Sequence, residues 1–305
     1  MITIPVMGGL GNQMFQYAAA KALAERHGVG VAIDIGNISR DPLRSYLLDR
    51  LQVPERPAVP GREGPPLADA MALSALKWRG RAERLLKRFT DKGIPQLPAT
   101  YSEKHFHFDP EFFDQGPTVR LFGYFQSELY FSDIAATLRN VFQPREPLGP
   151  AAQKIARDIA DTPLSVSVHV RRGDYVRSAT TAQVHGVLDA AYYARALRLI
   201  SGLLGQAVTL FVFSDEPDAA EAVVASVPGL RTVIVRGDPD RPWEDMALMA
   251  RCRHHVIANS SFSWWGAWLN PSPDKIVIGP RQWFTPPEVR TKNLCDLCPA
   301  GWILI

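Results

Sequence analysis

Short apolar runs alternate with longer amphipathic segments through the second half of the chain. The clearest run, residues 164–170, places Val166, Val168 and Val170 on one face and predicts a buried strand. Further strands are predicted at 208–214, 231–235, 255–259 and 275–278, with helices over 151–160, 189–204, 243–252 and 262–269 and another after Pro217. Such alternation is typical of a parallel sheet covered by helices on both faces.

The first half begins with the same kind of unit. A strand at 2–7 leads through a glycine-rich loop into an alanine-rich helix, for which Asn12 is the expected N-cap and Gly28 the stop. A second strand is predicted at 29–35, and later a strand at 119–125 and a helix at 132–142. The segment QPREPLG at 143–149 has the composition of a linker. We therefore expect α/β domains at 1–147 and 148–285, and a C-terminal tail at 286–305.

Composition fits this picture and excludes some classes of protein. The 305 residues are 46% hydrophobic and 21% charged, as in an ordinary globular protein. A net charge of +3 is too small to indicate a nucleic-acid partner. No apolar run reaches the ~18 residues of a spanning helix, and the start lacks the features of a signal peptide. The odd count of three cysteines argues against a disulfide framework and favours the cytoplasm.

Polar residues directly follow three predicted strands of the second half. They are His169, Arg171, Arg172 and Asp174 around Gly173; Asp215 and Glu216 after VTLFVF; and Asn259, Ser260 and Ser261 after HHVIA. Because the carboxyl ends of parallel strands face one crevice, we expect the three clusters to meet. Arginine forks and helix starts bind phosphate oxygens, and a carboxylate accepts from the N–H groups of a base. The clusters predict a site for an anionic nucleotide-sugar donor that needs no metal ion.

The glycine-rich loop offers further candidate ligand contacts at Gly9, Asn12 and Gln13, through backbone donors and a helix start. A dinucleotide fingerprint would need a third glycine at the position of Met14, so the match to that motif is weak. Tight packing of strand against helix is the alternative explanation for these glycines.

Three other features have less specific explanations. The basic amphipathic segment from Lys77 to Lys92 predicts either contact with an anionic membrane or a solvated helix face. The acidic pair Asp238 and Asp240 lies between a glycine and a proline, which favours a turn over a metal site. The lone C-x-x-C at 295–298 lacks a second ligand pair, so its cysteines are expected to be structural.

The motifs GGLGNQMFQYA, HVRRGDY with a downstream VHGV, and ANSSFSWWGAWLN occur in this order between Gly8 and Trp268. In this respect the chain resembles the bacterial α-1,2-fucosyltransferases. The resemblance implies a GT-B-like α/β fold, with two Rossmann-like domains that each contain a mostly parallel sheet. It also implies inverting, metal-independent transfer of L-fucose from GDP-β-L-fucose to the 2-hydroxyl of a galactose, in surface polysaccharide (O-antigen) synthesis.

The resemblance also implies roles for individual residues. Arg171 would bind the diphosphate and His169 would lie near guanine. Asp215 or Glu216 would contact guanine, and Ser260 or Ser261 would contact the β-phosphate. No cofactor is expected.

The base that deprotonates the acceptor is less defined. Asp174 ranks first and His185 second, with Glu216 as a third candidate. The partners implied are GDP-fucose and a galactose-terminated oligosaccharide or lipid-linked glycan, with the enzyme in the cytoplasm and peripheral on the inner membrane. A non-catalytic module that binds a GDP-sugar or a glycan is the alternative.

Overall fold

A computed structural model describes residues 1–58, 99–172, 186–225, 227–286 and 291–305. Its first sheet has five strands, β1 Ile2–Pro5, β2 Val31–Asp34, β3 Pro57–Ala58, β4 Ala99–Ser102 and β5 Val119–Phe122. The strand order is β3-β2-β1-β5-β4, and every pairing between these strands is parallel. The order reverses between β1 and β5, so the ligand crevice of this sheet is expected where those two strands end.

The second sheet has six parallel strands. They are β6 Ser165–Val170, β7 Thr209–Ser214, β8 Arg231–Val235, β9 His254–Val256, β10 Val277–Gly279 and β11 Ile303–Leu304. Their order is β11-β10-β9-β6-β7-β8, which reverses between β6 and β9. This is the strand order of a Rossmann sheet, in which ligands bind at the carboxyl ends of the two strands at the reversal.

Helices cover the sheets and connect their strands. They are α1 Leu10–His27, α2 Ala135–Val141, α3 Pro150–Ala160, α4 Ala190–Leu204, α5 Pro217–Val224, α6 Pro242–Arg251 and α7 Ser261–Leu269. Short 3-10 helices span Ile38–Arg40, Leu48–Arg50, Pro110–Asp114, Glu128–Tyr130 and Ser132–Ile134.

The predicted fold class, an α/β protein with two parallel sheets, is confirmed. One local prediction is wrong, because Gly9 and not Asn12 occupies the N-cap of α1. Three strands were missed, β3, β4 and β11. The last of them lies in the predicted tail and pairs with β10 at the sheet edge. Pro5 is tolerated in central β1 because β5 pairs only with Ile2 and Thr3, before the missing N–H is reached.

A buried hydrogen-bond chain aligns the two strands at the reversal of the second sheet. The imidazole of His255 on β9 contacts Ser167 Oγ on β6 through Nδ1 at 2.8 Å, and Asn270 Nδ2 through Nε2 at 2.9 Å. Burial lowers the pKa of His255 well below its ordinary value, and Lys275 lowers it further, so the ring is neutral. The neutral ring accepts a hydrogen bond from Asn270 and contacts Ser167. These contacts hold β9 and β6 side by side.

Helix α7 belongs to the second half of the sequence but packs into the core of the first sheet. Its Trp264 and Trp265 lie 4.5 and 4.9 Å, between ring centroids, from Phe15 of α1. Trp265 also stacks on Phe131 at 5.4 Å and meets the edge of Phe142 at 5.1 Å. Aromatic contacts of this kind contribute about 0.5–1.5 kcal/mol each beyond simple burial. The tryptophan helix therefore joins the two halves of the molecule.

The start of α1 touches the start of α7 at Gly11. Trp265 Nε1 donates a 2.9 Å hydrogen bond to the Gly11 carbonyl. A Cβ added to Gly11 would lie 2.6 Å from the carbonyl carbon of Ser261 and 2.8 Å from the backbone nitrogen of Phe262. Since both neighbours are backbone atoms, only glycine fits at this position.

We expect Gly11→Ala to lower the free energy of unfolding by about 1–3 kcal/mol, because the added methyl group must displace the start of α7. Gly202→Ala is the matched control: its added Cβ meets no atom within 4 Å and lies in exposed helix, where alanine is favoured. Urea unfolding of both variants measures the difference. Equal stability of Gly11→Ala and wild type would contradict the close contact.

Candidate functional site

The first two polar clusters meet at the carboxyl ends of β6 and β7. Arg171 Nη1 lies 3.3 Å from Asp215 Oδ2, and the backbone N–H of Arg172 donates to Asp215 Oδ1 at 3.0 Å. Ser214 Oγ donates to the Val170 carbonyl at 2.7 Å, which ties the ends of the two strands together. The side chains of Arg171 and Asp215 are 22% and 27% exposed. The pair therefore presents an oriented guanidinium at the edge of the crevice, as the strand-end pattern predicted.

His169 lies on β6, two residues before Arg171, and is only 4% exposed. The pKa of its imidazole is lowered to about 3, chiefly by burial and also by the Arg171 charge, while the Asp215 charge opposes the shift. The ring is thus neutral, and its buried Nδ1 has no hydrogen-bond partner among the described residues. Because buried polar atoms are nearly always paired, this nitrogen is a candidate hydrogen-bonding group for a ligand.

The third cluster forms the start of α7, whose Phe262 ring lies 5.7 Å from that of His169. Ser260 is the N-cap, and its hydroxyl oxygen accepts from the Phe262 N–H at 3.3 Å. Ser263 Oγ accepts from the Ala258 N–H and donates to the Ser260 carbonyl. A capped helix start with serine hydroxyls and the positive end of the helix dipole favours a bound anion.

The side-chain amide of Asn259 contacts backbone carbonyls of two neighbouring loops. Its Nδ2 lies 3.4 Å from the Gly186 carbonyl and 3.3 Å from the Trp283 carbonyl, so this amide holds two loops beside the helix start. Glu216 begins the turn into α5, where its N–H donates to Ser214 Oγ at 3.0 Å. Both residues lie at the predicted strand ends.

The glycine-rich loop lies beside this helix start through the Gly11 contact. Gly9 caps α1, and Asn12 Oδ1 accepts from Gln126 Nε2 at 2.8 Å. Gln13 is fully buried and donates to the carbonyls of Gly8 and Ser45 at 3.0 and 2.9 Å. Its amide N–H groups therefore hold the loop in place, whereas Gly9 and Asn12 are only partly buried.

A tight turn after β5 borders the crevice of the first sheet. Gly123 has φ +159°, and Phe125 has φ +54° in the left-handed region that costs a bulky residue about 1–3 kcal/mol. Both oxygens of Glu103, just beyond β4, accept from this turn: Oε2 from the Tyr124 N–H at 2.8 Å and Oε1 from the Phe125 N–H at 2.9 Å. Tyr124 is 38% exposed at the tip.

Nothing in the sequence marks Glu103, because its contacts depend on β4 pairing with β5, twenty residues later in the chain. Its single carboxylate beside an aromatic-rich segment carries no motif.

Several predicted residues lie outside the described ranges, namely Asp174, His185 and the segment from Lys77 to Lys92. Asp238 and Asp240 form a turn, in which the Asp240 N–H donates to Asp238 Oδ1 at 2.9 Å. In the described part of the chain, no group of three or more His, Cys, Asp or Glu residues could hold a metal ion. No helix among the described residues is long and apolar enough to cross a membrane.

Comparison with known proteins shows similarity along the whole chain. It is 31% identical over 314 residues to an O-antigen biosynthesis glycosyltransferase of Escherichia coli, WbnK, covering 97% of each chain. It is 29% identical over 306 residues to an alpha-1,2-colitosyltransferase of Escherichia coli, covering all of this chain and 99% of that one. The human galactoside alpha-(1,2)-fucosyltransferase 1 is 25% identical over 273 residues, covering 88% of this chain and 65% of that protein.

A solved structure supports the fold. An Arabidopsis thaliana FUT1 mutant in complex with GDP superposes with a TM-score of 0.52 at 14% sequence identity, covering 98% of this chain and 74% of that one. At this identity the likeness concerns the arrangement of the two sheets.

The family assignment follows from the sequence match. The profile of glycosyl transferase family 11 matches residues 96–303, more than half of the chain, and includes the three strand-end clusters of the second sheet. Together with the Escherichia coli relative above 30% identity, this match shows that the chain belongs to glycosyl transferase family 11.

Proposed function

We propose that the protein transfers L-fucose from GDP-β-L-fucose to the 2-hydroxyl of a galactose, with inversion at the anomeric carbon. The observation that carries this proposal is the group at the reversal of the second sheet. There the Arg171–Asp215 pair stands beside the serine-capped start of α7 and beside His169, whose Nδ1 has no partner in the part of the chain that the structure describes. The Arg171 guanidinium and the start of α7 suit the phosphates of a nucleoside diphosphate, and the neutral His169 nitrogen suits a hydrogen bond to its nucleoside.

Each part of the donor has a matching group. The guanidinium of Arg171 and the hydroxyls of Ser260 and Ser261 bind the diphosphate. The orphaned Nδ1 of His169 lies where guanine or ribose would supply a hydrogen bond. Asp215 orients Arg171 and offers carboxylate oxygens to the base, and Glu216 lies on the same turn.

The reaction is a single displacement at the fucose anomeric carbon. The bond to the acceptor 2-oxygen forms as the bond to the diphosphate oxygen breaks, and the acceptor proton passes to a base. Positive charge develops on the sugar ring and negative charge on the departing GDP. Arg171, already oriented by Asp215, stabilises that negative charge without reorganisation. We therefore propose that the reaction needs no metal ion.

Asp174 is proposed as the base and His185 as its alternative, on the sequence alone. A base must come within about 3 Å of the acceptor hydroxyl, directly or through one water. Both residues follow β6 in the chain, whose end carries the donor site.

The identity of the transferred sugar rests on the resemblance to fucosyltransferases. One relative is named for transfer of colitose, which is L-fucose without its 3-hydroxyl, so GDP-colitose is the competing donor. The relative named for O-antigen biosynthesis supports an acceptor in surface polysaccharide, as an oligosaccharide or a lipid-linked glycan.

Replacement of Arg171 tests the donor site. We expect Arg171→Ala to lower the rate of transfer by about 10²–10³, because a preorganised partner of the leaving group is lost. Arg171→Lys should recover part of the rate, since it restores the charge without the planar fork. GDP release in the presence of a β-galactoside measures the rates, and thermal unfolding confirms that the variants are folded.

Arg236→Ala is the matched control. Arg236 follows β8 at the same edge of the sheet, is 62% exposed and pairs with Asp218 at 2.7 Å. Its loss should leave the rate within about twofold, as expected for a surface ion pair. A rate in Arg171→Ala close to that of this control would refute the assignment of the diphosphate site.

A competition assay tests the sugar and the metal. With GDP-fucose and GDP-colitose at equal concentrations, a β-galactoside and EDTA, we expect fucosylated product and undiminished turnover. Preferred transfer of colitose would contradict the proposal that GDP-fucose is the donor. Activity lost on addition of EDTA and restored by Mg²⁺ or Mn²⁺ would overturn metal independence. Tight GDP-fucose binding without turnover on any galactoside would favour a non-catalytic binding module.

We further propose that the enzyme acts in the cytoplasm and contacts the inner membrane through the basic segment from Lys77 to Lys92, which holds seven Lys or Arg residues against Glu83 and Asp91. We expect the protein to sediment with vesicles that contain anionic lipid and to remain free of neutral vesicles. Changing Lys87 and Arg88 together to glutamine should weaken sedimentation. Equal binding to both kinds of vesicle would contradict an electrostatic contact.

A further inference from the structure

Glu103 makes its contacts where β4 and β5 of the first sheet end. It directly follows β4, and its backbone N–H donates to the Phe122 carbonyl at 2.7 Å, so the residue extends the pairing of β4 with β5. Its two carboxylate oxygens accept from the N–H groups of Tyr124 and Phe125. Main chain and side chain of one residue therefore grip the end of β5 and the turn that follows.

The turn held in this way is strained and tightly packed. Phe125 has a positive φ although it is not glycine, and its ring is fully buried against Phe112 and Tyr130 at 5.5 and 5.3 Å. A Cβ on Gly123 would lie 2.4 Å from the Cβ of Glu103, so the carboxylate approaches closely only because that position is glycine. A backbone conformation of this kind persists where its surroundings over-determine it, and such places cluster at functional sites.

The turn leaves the side chain of Tyr124 38% exposed. Gln126, two residues later, donates to Asn12 on α1, and Asn12 adjoins Gly11, which touches the start of α7. A continuous set of contacts therefore runs from the donor-side helix start to the turn. The partly exposed ring of Tyr124 is an aromatic face of the kind on which sugars stack.

We propose that Glu103 is a positioning residue that clamps the turn from Gly123 to Gln126 and thereby holds Tyr124 against the acceptor sugar. This inference rests on the proposed function, because it assigns the acceptor side of that reaction. Glu103 acts through Tyr124 and not on the reacting atoms.

The clamp is sensitive to pH. The pKa of Glu103 is raised to about 7, chiefly by burial; the N–H groups of Tyr124 and Phe125 oppose this shift and the Asp296 charge contributes to it. The other titratable groups that face it are Tyr101 on β4, Tyr124 on the turn and Tyr130 in the following 3-10 helix. Among the described residues, no Lys or Arg lies within ion-pair distance of Glu103. Protonation below pH 7 therefore turns one acceptor oxygen into a donor and loosens the turn.

Glu103→Gln tests the clamp with little change in shape. The amide can accept one backbone N–H but presents N–H to the other, so one charge-assisted hydrogen bond is lost. We expect the acceptor KM of wild type to rise about tenfold between pH 8.5 and 5.5, with a midpoint near 7. In Glu103→Gln it should be raised at every pH and lack this transition, whereas the donor KM should stay within about twofold of wild type.

Two further variants separate the clamp from general stability. Glu111→Gln is the matched control, since Glu111 is 65% exposed and pairs with Lys104. It should keep the wild-type acceptor KM and pH dependence. Tyr124→Ala removes the ring without altering the carboxylate and should raise the acceptor KM about as much as Glu103→Gln, with no loss of thermal stability.

An NMR titration detects the hydrogen bond between Glu103 and the Tyr124 amide independently of enzymatic activity. With ¹⁵N-tyrosine labelling the chain gives eight labelled amides, and the signal of Tyr124 is identified by its loss in Tyr124→Phe. We expect that amide to titrate with a midpoint near pH 7 in wild type and in Glu111→Gln, and to lose this transition in Glu103→Gln. A Tyr124 amide that does not titrate, or does so equally in Glu103→Gln, would overturn the clamp.

The kinetics decide the role of the clamp separately. Normal acceptor KM in both Glu103→Gln and Tyr124→Ala would refute a positioning role for the turn. Absence of any transfer from GDP-fucose to a galactoside would instead refute the proposed function, while the NMR titration would still decide whether the clamp exists.

Discussion

The contact between the starts of α1 and α7 determines how the two halves of the protein form one site. Each helix follows a strand at the reversal of its own sheet, and the backbone of Gly11 lies directly against that of Ser261. Trp265 fixes the contact by donating to Gly11 and packing on Phe15. Because side chains cannot be inserted between two backbones at this distance, the crevices of the two sheets are brought side by side. The tryptophans of α7 are buried in the core of the first sheet, and by fixing this contact they also set the position of the start of α7.

Electrostatics at the donor edge depend on burial more than on the number of charges. His169 is kept neutral by burial and by the Arg171 charge, so it adds a hydrogen-bonding nitrogen to the site without adding repulsion toward Arg171. Asp215 partly neutralises Arg171 and orients it in the same contact. The guanidinium is thus held in one orientation, and under the proposed function this meets the condition for electrostatic stabilisation of a departing diphosphate.

The sequence predicted the parts of the site that depend on topology. A parallel sheet places all strand ends at one edge, so the clusters at Arg171, Asp215 and Ser260 could be assigned to one crevice from strand spacing alone. Residues whose role depends on tertiary contacts were harder to interpret. Gln13 follows three glycines as a ligand residue would, yet its burial against Gly8 and Ser45 makes it a brace.

Glu103 is the clearest example of a residue whose role could not be predicted from the sequence, because nothing in its neighbouring residues distinguishes it from a surface glutamate. Its pKa shift requires burial beneath a turn whose Gly123 and Phe125 conformations exist only once β4 and β5 are paired. The imidazole of His169 at the proposed donor site is neutral near pH 7, whereas burial raises the pKa of Glu103 to about 7. With the roles proposed above, acidification protonates Glu103 and loosens the turn that holds Tyr124, while His169 stays neutral.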